Sequence, residues 1–277
     1  MIVCPYHEGR RDVGMGLGPT ILGADDRMRA AIAAAGWSPV REVLSGPDER
    51  LPEVARSMDV VRRLVVAVRS AVAAGAFPLV LAGNCNACLG TVAGLDDESL
   101  GAVWFDAHAD FDTTDDNVSG YFDVMALSML TGRGWQGQRA SVPGLTAVLE
   151  RNVVLAGVRD LAPYQRASME ASDLRVVPGA IDPERLDRSL DELRGRVERV
   201  YLHIDVDTLD TSEGRANQYA APDGPTLDRY RRSIGAVFAR FTVAVTAWDP
   251  AFDVGGRVAE AVRALIGDVA RLGLTAA

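Results

Sequence analysis

At 277 residues, 48% of them hydrophobic and with no compositional break to mark a linker, the chain has material for one continuous core, and a single domain over 1–277 is expected. A formal net charge of −9 argues against nucleic acid or an anionic membrane as partner, and the absence of any lysine excludes lysine Schiff-base chemistry and the phosphate-binding P-loop. The three cysteines, Cys4, Cys85 and Cys88, are too few for a disulfide scaffold; no apolar run is long enough to span a bilayer and no charged-then-apolar leader is present, so a soluble, cytoplasmic protein is expected.

In chain order, apolar runs of strand length fall at 1–4, 78–82, 100–105, 153–156, 174–177, 200–204 and 241–247. Helical patterns lie between them, at 25–35, 51–74, 86–93, 125–130, 182–197, 227–240 and 259–272. This alternation predicts an α/β fold, a three-layer α/β/α sandwich whose mainly parallel sheet is joined by right-handed crossovers. Non-periodic segments remain at 5–23, 110–119 and 211–225, lengths that suit loops building a site.

Two motifs carry the chemistry, Asp106-Ala107-His108-Ala109-Asp110 and His203-Ile204-Asp205-Val206-Asp207. Each lies at the end of a predicted parallel strand, where open α/β sheets keep their sites. Residues two apart on extended backbone share a face, so Asp106, His108 and Asp110 converge, as do His203, Asp205 and Asp207. Neither motif contains an arginine, and carboxylates packed together without a counter-charge must protonate or repel. A divalent metal is the simplest remedy; solvated strand-end loops or helix N-caps are the alternative. At a third strand-to-helix junction, Gly83-Asn84-Cys85-Asn86-Ala87-Cys88, a thiolate at Cys85 is favoured by the helix N-terminus. Cys85 then reads as a metal ligand, as part of a Cys-x-x-Cys redox pair, or as a buried thiol, while Cys88 reads as a small core residue.

The order and spacing of these three junctions resemble the ureohydrolases, the arginase, agmatinase and formimidoylglutamase family. The resemblance extends to the Gly-rich start Val13-Gly14-Met15-Gly16-Leu17-Gly18-Pro19, the turn Gly157-Val158-Arg159-Asp160 and the segment Trp248-Asp249-Pro250. It implies an arginase-like domain, a homo-oligomer (trimer or hexamer), and two divalent cations, usually manganese, that activate water to hydrolyse an amidine or guanidine C–N bond. Carried over, Asp106 and Asp205 bridge the metals, Asp110 completes the first metal's shell, and His108 and Asp207 hold the second. Cys85 stands where the family has a ligand histidine. A thiolate there adds charge and favours softer ions such as zinc, iron or nickel, and some ureohydrolases acting on N-hydroxyguanidines look like they share the substitution.

Other departures bear on the substrate. Asp123, in Ser119-Gly120-Tyr121-Phe122-Asp123, replaces a downstream family histidine and is either a proton shuttle or a helix cap. Ala247 replaces the glutamate that grips a guanidinium, and alanine offers no acceptor, which argues against a plain arginase. Asp249 either takes over that grip or caps a turn. His203 is a proton shuttle, an orienter of a bridging carboxylate, or a hydrogen-bonded strand histidine. Asp110 is the natural proton acceptor. Asp112, Asn117 and Ser119 lie in a segment resembling the family's binder of the substrate tail, or serve as turn residues. Asp160 matches a position that holds a substrate amino group, Arg159 braces the loop, and His7 reads as a surface residue. Six carboxylates between Asp106 and Asp123 favour a cationic small-molecule substrate. The expected function is a binuclear metal-dependent amidinohydrolase; the alternative is a catalytically silent paralogue that binds metal or ligand. A single-zinc deacetylase on the same sandwich ranks below both, because its paired-histidine base is absent.

Overall fold

The computed structural model describes residues 1–237 and 241–275. The strands are β1 (Ile2–Cys4), β2 (Tyr6–His7), β3 (Arg10–Arg11), β4 (Glu42–Val43), β5 (Leu79–Ala82), β6 (Gly101–Phe105), β7 (Val153–Ala156), β8 (Arg175–Val177), β9 (Val200–Asp205) and β10 (Phe241–Thr246). The helices are α1 (Leu17–Ala24), α2 (Asp26–Ala34), α3 (Glu53–Ala73), α4 (Ala87–Leu95), α5 (Ala126–Thr131), α6 (Gln136–Ala140), α7 (Pro163–Glu170), α8 (Pro183–Arg194), α9 (Leu227–Gly235) and α10 (Arg257–Thr275).

Eight strands form one sheet in the order β4-β1-β5-β10-β9-β6-β7-β8, parallel throughout, and β2 with β3 makes a separate antiparallel pair. Its strands are apolar on both faces, as a sheet covered on both sides requires. Val80, Ala102, Trp104 and Tyr201 pack into one core with the inner faces of α3, α4 and α5. Leu81, Val103, Leu202 and Val243 pack into the other with α2, α8, α9 and α10. The expected three-layer sandwich with a mainly parallel sheet is therefore what the chain forms.

Register sets the position of the site. β6 pairs with β9 up to Phe105↔Ile204, and β9 pairs with β10 up to Thr246↔Asp205. Asp106, Asp205 and Thr246 thus sit side by side on the C-terminal rim, with Trp104 and His203 one layer beneath on the same face.

All seven expected strands are present, but the sequence reading missed β4, the β2–β3 pair, and helices α1, α6 and α7, of which α1 lies in a segment taken as loop. The helix expected at 227–240 stops at Gly235, and positions 238–240 lie outside the described residues. Among the described residues no helix is long and apolar enough to cross a membrane.

Candidate metal centre

Three corners at the rim bring the motif side chains together. The ligand atoms of Cys85, Asp106, His203 and Asp205 all lie within 4.8 Å of one another, and so do those of Asp106, His108 and Asp207. Asp106 belongs to both groups, so they form an inner and an outer cluster with a shared carboxylate. Asp205 Oδ2 accepts from Cys85 Sγ at 3.0 Å and from Thr246 Oγ1 at 3.2 Å, while its Oδ1 accepts from the Asp207 amide at 2.9 Å. Asp106 Oδ2 accepts from Trp104 Nε1 at 2.9 Å, and Oδ1 from the His108 amide at 2.7 Å. His108 Nδ1 stands 3.3 Å from Asp106 and 3.5 Å from Asp207. Asn217 Nδ2 ties Asp207 Oδ2, at 3.0 Å, to the Ala247 carbonyl, at 2.8 Å.

The corner that carries Cys85 is held by Asp123. Its carboxylate accepts from the amides of Cys85 at 3.1 Å and Asn86 at 2.9 Å, and from Asn84 Nδ2 at 2.6 Å. Gly83 is required here for room: a Cβ would lie 2.4 Å from the Tyr6 carbonyl oxygen and 2.8 Å from the Gly16 backbone. The glycine-rich start of the chain therefore packs directly under the turn.

The electrostatics are those of an uncompensated acidic cluster. Burial first, then the charges of Asp207 and Asp106, push the Asp205 carboxyl well above its ordinary range. Burial, Asp106 and Asp123 do the same to Asp110. Burial and the carboxylate of Asp205 push up the Cys85 thiol. Burial alone would lower the His108 pKa, but Asp207 and Asp106 outweigh it and raise it well above normal. Among the described residues, the only ion pairs to these carboxylates come from His108. Asp110, buried in a left-handed turn at φ 47°, is fixed by its backbone carbonyl, which accepts from Leu127 and Ser128, yet among the described residues its carboxylate has no hydrogen-bond partner. It borders a half-open pocket of about 70 Å³, which Cys85, His108, Asp207 and Ala247 also line. Hard and soft donors converging on buried space without a counter-cation fit a pair of divalent metal ions.

The remaining expected residues are placed as follows. Asp110 stands outside both clusters of ligand atoms. His203, expected as a shuttle, is fully buried beneath the pocket, with Nδ1 2.8 Å from Tyr201 Oη and Nε2 3.2 Å from Thr246 Oγ1. Each ring nitrogen has a hydrogen-bond contact in this arrangement, and the ring stands under the inner cluster. Asp123 is likewise a clasp for the turn, because three donors occupy its carboxylate. Asp112 is buried behind the loop, accepting from Asn117, Tyr164 and Gln165. Asn117 and Ser119 bond each other on the surface. Asp160 is exposed and 3.8 Å from His108 Nε2. Asp249 caps its own turn through the Ala251 amide. Arg159 braces five carbonyls, those of Gly157, Asp207, Leu209, Ala221 and Pro222. His7 is drawn in from the surface to bond Tyr121 at 3.1 Å. The sequence reading missed Trp104, Tyr201, Asn217 and Thr246, and also Tyr121 and Tyr219, whose rings stack 5.7 Å apart beside the pocket.

The arginase family model matches residues 3–270, and the chain belongs to the arginase family, as a branch with cysteine in place of a histidine in the metal site. It is similar to the arginase of Staphylococcus aureus strain MRSA252, 27% identical in an alignment of 235 positions that covers 77% of this chain and 76% of the relative. Its fold is that of the Bacillus subtilis arginase, with a TM-score of 0.80 at 22% identity, covering 97% of this chain and 96% of that one. The agmatine ureohydrolase of Thermoplasma volcanium aligns with a TM-score of 0.67 at 19% identity, covering 98% and 88%.

Proposed function

We propose that the chain is a binuclear metal-dependent hydrolase of a linear amidine or guanidine C–N bond, acting on a small cationic substrate other than arginine itself. The observation that carries this is the convergence of five buried carboxylates, an imidazole and a thiol on one pocket with no arginine among the described residues to neutralise them. Cys85, Asp106 and Asp205 would hold an inner divalent ion and Asp106, His108 and Asp207 an outer one, with manganese the family's usual ion and softer ions favoured by Cys85. Bound there, such ions make water acidic enough to ionise near neutral pH and stabilise negative charge on the oxygen that attacks.

The chain's own residues do the rest. Asp110, with a free carboxylate facing the pocket, takes a proton at one oxygen and returns it to the departing amine. His108 aligns the outer carboxylates, and Asp160 with the surface of the loop at Asn117 and Ser119 would meet the substrate's polar tail, Asp112 bracing that loop from behind. Tyr121 and Tyr219 border the pocket beside Ala247, and their π-faces suit a delocalised cation where the family's glutamate is missing. N-hydroxyguanidines and guanidino compounds are the first candidates. The same reading has the chain cytoplasmic and assembled as a trimer or hexamer, which light scattering checks for the assembly.

A urea- and ammonia-release screen over arginine, N-hydroxyarginine, agmatine, guanidino acids and formimidoylglutamate tests the activity. The expected outcome is turnover of at least one compound, abolished in Asp205→Asn. Silence on every compound at full metal loading favours the metal-binding paralogue without catalysis.

A further inference from the structure

His203 has an environment that an ordinary core histidine does not need. Its ring lies flat against Trp104, 3.6 Å between centroids and 8° between planes. Nδ1 is anchored by the Tyr201 hydroxyl, while Nε2 points toward the side of the ring where the Cys85 thiol and the Asp205 carboxylate meet at the Thr246 hydroxyl. Trp104 also donates to Asp106, so one indole fixes both the imidazole plane and the shared carboxylate. Metal-binding histidines are commonly held in this way, one nitrogen oriented by a hydrogen bond and the other free to ligate.

We propose that His203 ligates the inner cation, supplying from β9 the imidazole that the β5 corner lost to Cys85, so that the inner position is a Cys85–Asp106–His203–Asp205 cage preferring zinc-class ions to manganese. This rests on the metal-centre reading above and extends it.

Three physical points support the assignment. One thiolate, one imidazole and two carboxylate oxygens make a four-donor set of the kind zinc takes in tetrahedral geometry. In such a shell the donors stand about 3.3–3.8 Å apart, given metal–ligand distances of about 2.0–2.3 Å. Ligand atoms that already lie within 4.8 Å of one another need a contraction of at most about 1.5 Å. Second, loading the cage breaks a single imidazole contact, the one to Thr246, whose hydroxyl keeps Asp205 as its acceptor. The Tyr201 hydroxyl both donates and accepts, so it follows the ring's change of tautomer without losing its own bond. Third, the imidazole is fully buried and already oriented, its plane by Trp104 and its Nδ1 by Tyr201, so little ordering is left for metal binding to impose.

The test uses the whole protein, labelled with ¹⁵N-histidine and loaded with cadmium-113. The chain has three histidines, so every imidazole can be followed. The expected result is two cadmium signals, one shifted downfield by sulfur and showing one-bond coupling to His203, the other coupled to His108. Cys85→Ser should remove the sulfur shift and His203→Gln the first coupling. His203→Gln should also weaken the inner ion by at least tenfold, roughly the scale of outer-shell losses. A sulfur-shifted cadmium without coupling to His203 overturns this inference alone, leaving the imidazole as a support for Thr246. No cadmium bound at all overturns the metal-centre reading, and this inference falls with it. Because the coupling is read on the unmodified chain, a variant that fails to fold does not remove the test.

Discussion

Replacing Asp123 by alanine separates two roles this carboxylate can play. Its oxygens accept from the buried amides of Cys85 and Asn86 and from Asn84 Nδ2. Removing them orphans two backbone N–H groups at about 1–3 kcal/mol each, or about 2–6 kcal/mol together. Part returns, because the carboxyl is itself held up in pKa by burial, and a net loss of about 2–4 kcal/mol is expected. At about 2–4 °C per kcal/mol for a chain of this size, the melting temperature of chelator-treated protein should fall by roughly 4–16 °C. Asp123→Asn keeps one acceptor and should lose about 1–3 kcal/mol. Circular dichroism melts and urea titrations on metal-free samples measure both. If metal-free Asp123→Ala melts with the wild type while turnover is lost, the residue moves protons and the clasp is not its function.

Other consequences follow from the same cluster. Between about pH 6.5 and 9 metal-free protein should lose stability as pH rises. The raised pKa values of Asp110, Asp205 and His108 leave the native state holding more protons than the unfolded chain in that window, and Cys85 adds to the loss only above its ordinary value of 9. His203, lowered by burial, acts with the opposite sign only below its ordinary value of 6.5. Urea midpoints that rise with pH in this range would contradict the assignment. Asp110→Asn should lower kcat by about 10²- to 10⁴-fold, the usual scale for a proton-transferring group. The same change should stabilise metal-free protein by about 1–2 kcal/mol, because it removes a buried carboxylate without a partner. Trp104→Phe keeps a ring against His203 but drops the donor to Asp106, and metal affinity measured by competition with a chelator should fall about 10- to 100-fold.

The parts of the fold that were legible are those whose signal is local. Runs such as 200–204 and 241–247 are apolar on both faces because both faces are covered, and that leaves a continuous pattern in one dimension. Strand β4 has only Glu42 and Val43, both exposed at the sheet edge, too short and too polar to stand out. Helix α1 carries Gly18, Pro19 and Gly23, which reads as loop. Gly18 is there for contact, since a Cβ would meet the Trp248 carbonyl oxygen at 2.2 Å. That reason is tertiary.

The same division holds at the site. Asp106, His108, Asp205 and Asp207 were readable because they follow apolar strands at the sheet rim, although β6 stops at Phe105 and Asp207 lies in a 3-10 turn and not on extended backbone. The clasp made by Asp123 joins residues 37 to 39 positions apart, and Asn217 reaches Ala247 across 30. Nothing in the local pattern marks either. Ala247, where the family has a glutamate, adopts a left-handed φ of 65°, a conformation chosen by the rim it closes and invisible in its identity.

Anomalous difference maps from crystals soaked in manganese or zinc would show whether the rim holds a pair of cations. Two peaks per chain are expected, an inner one against Cys85 and Asp205 and an outer one against His108 and Asp207, with Asp106 between them. A single peak, or density that leaves Asp205 and Asp207 unliganded, would contradict the two-ion centre and the hydrolase built on it.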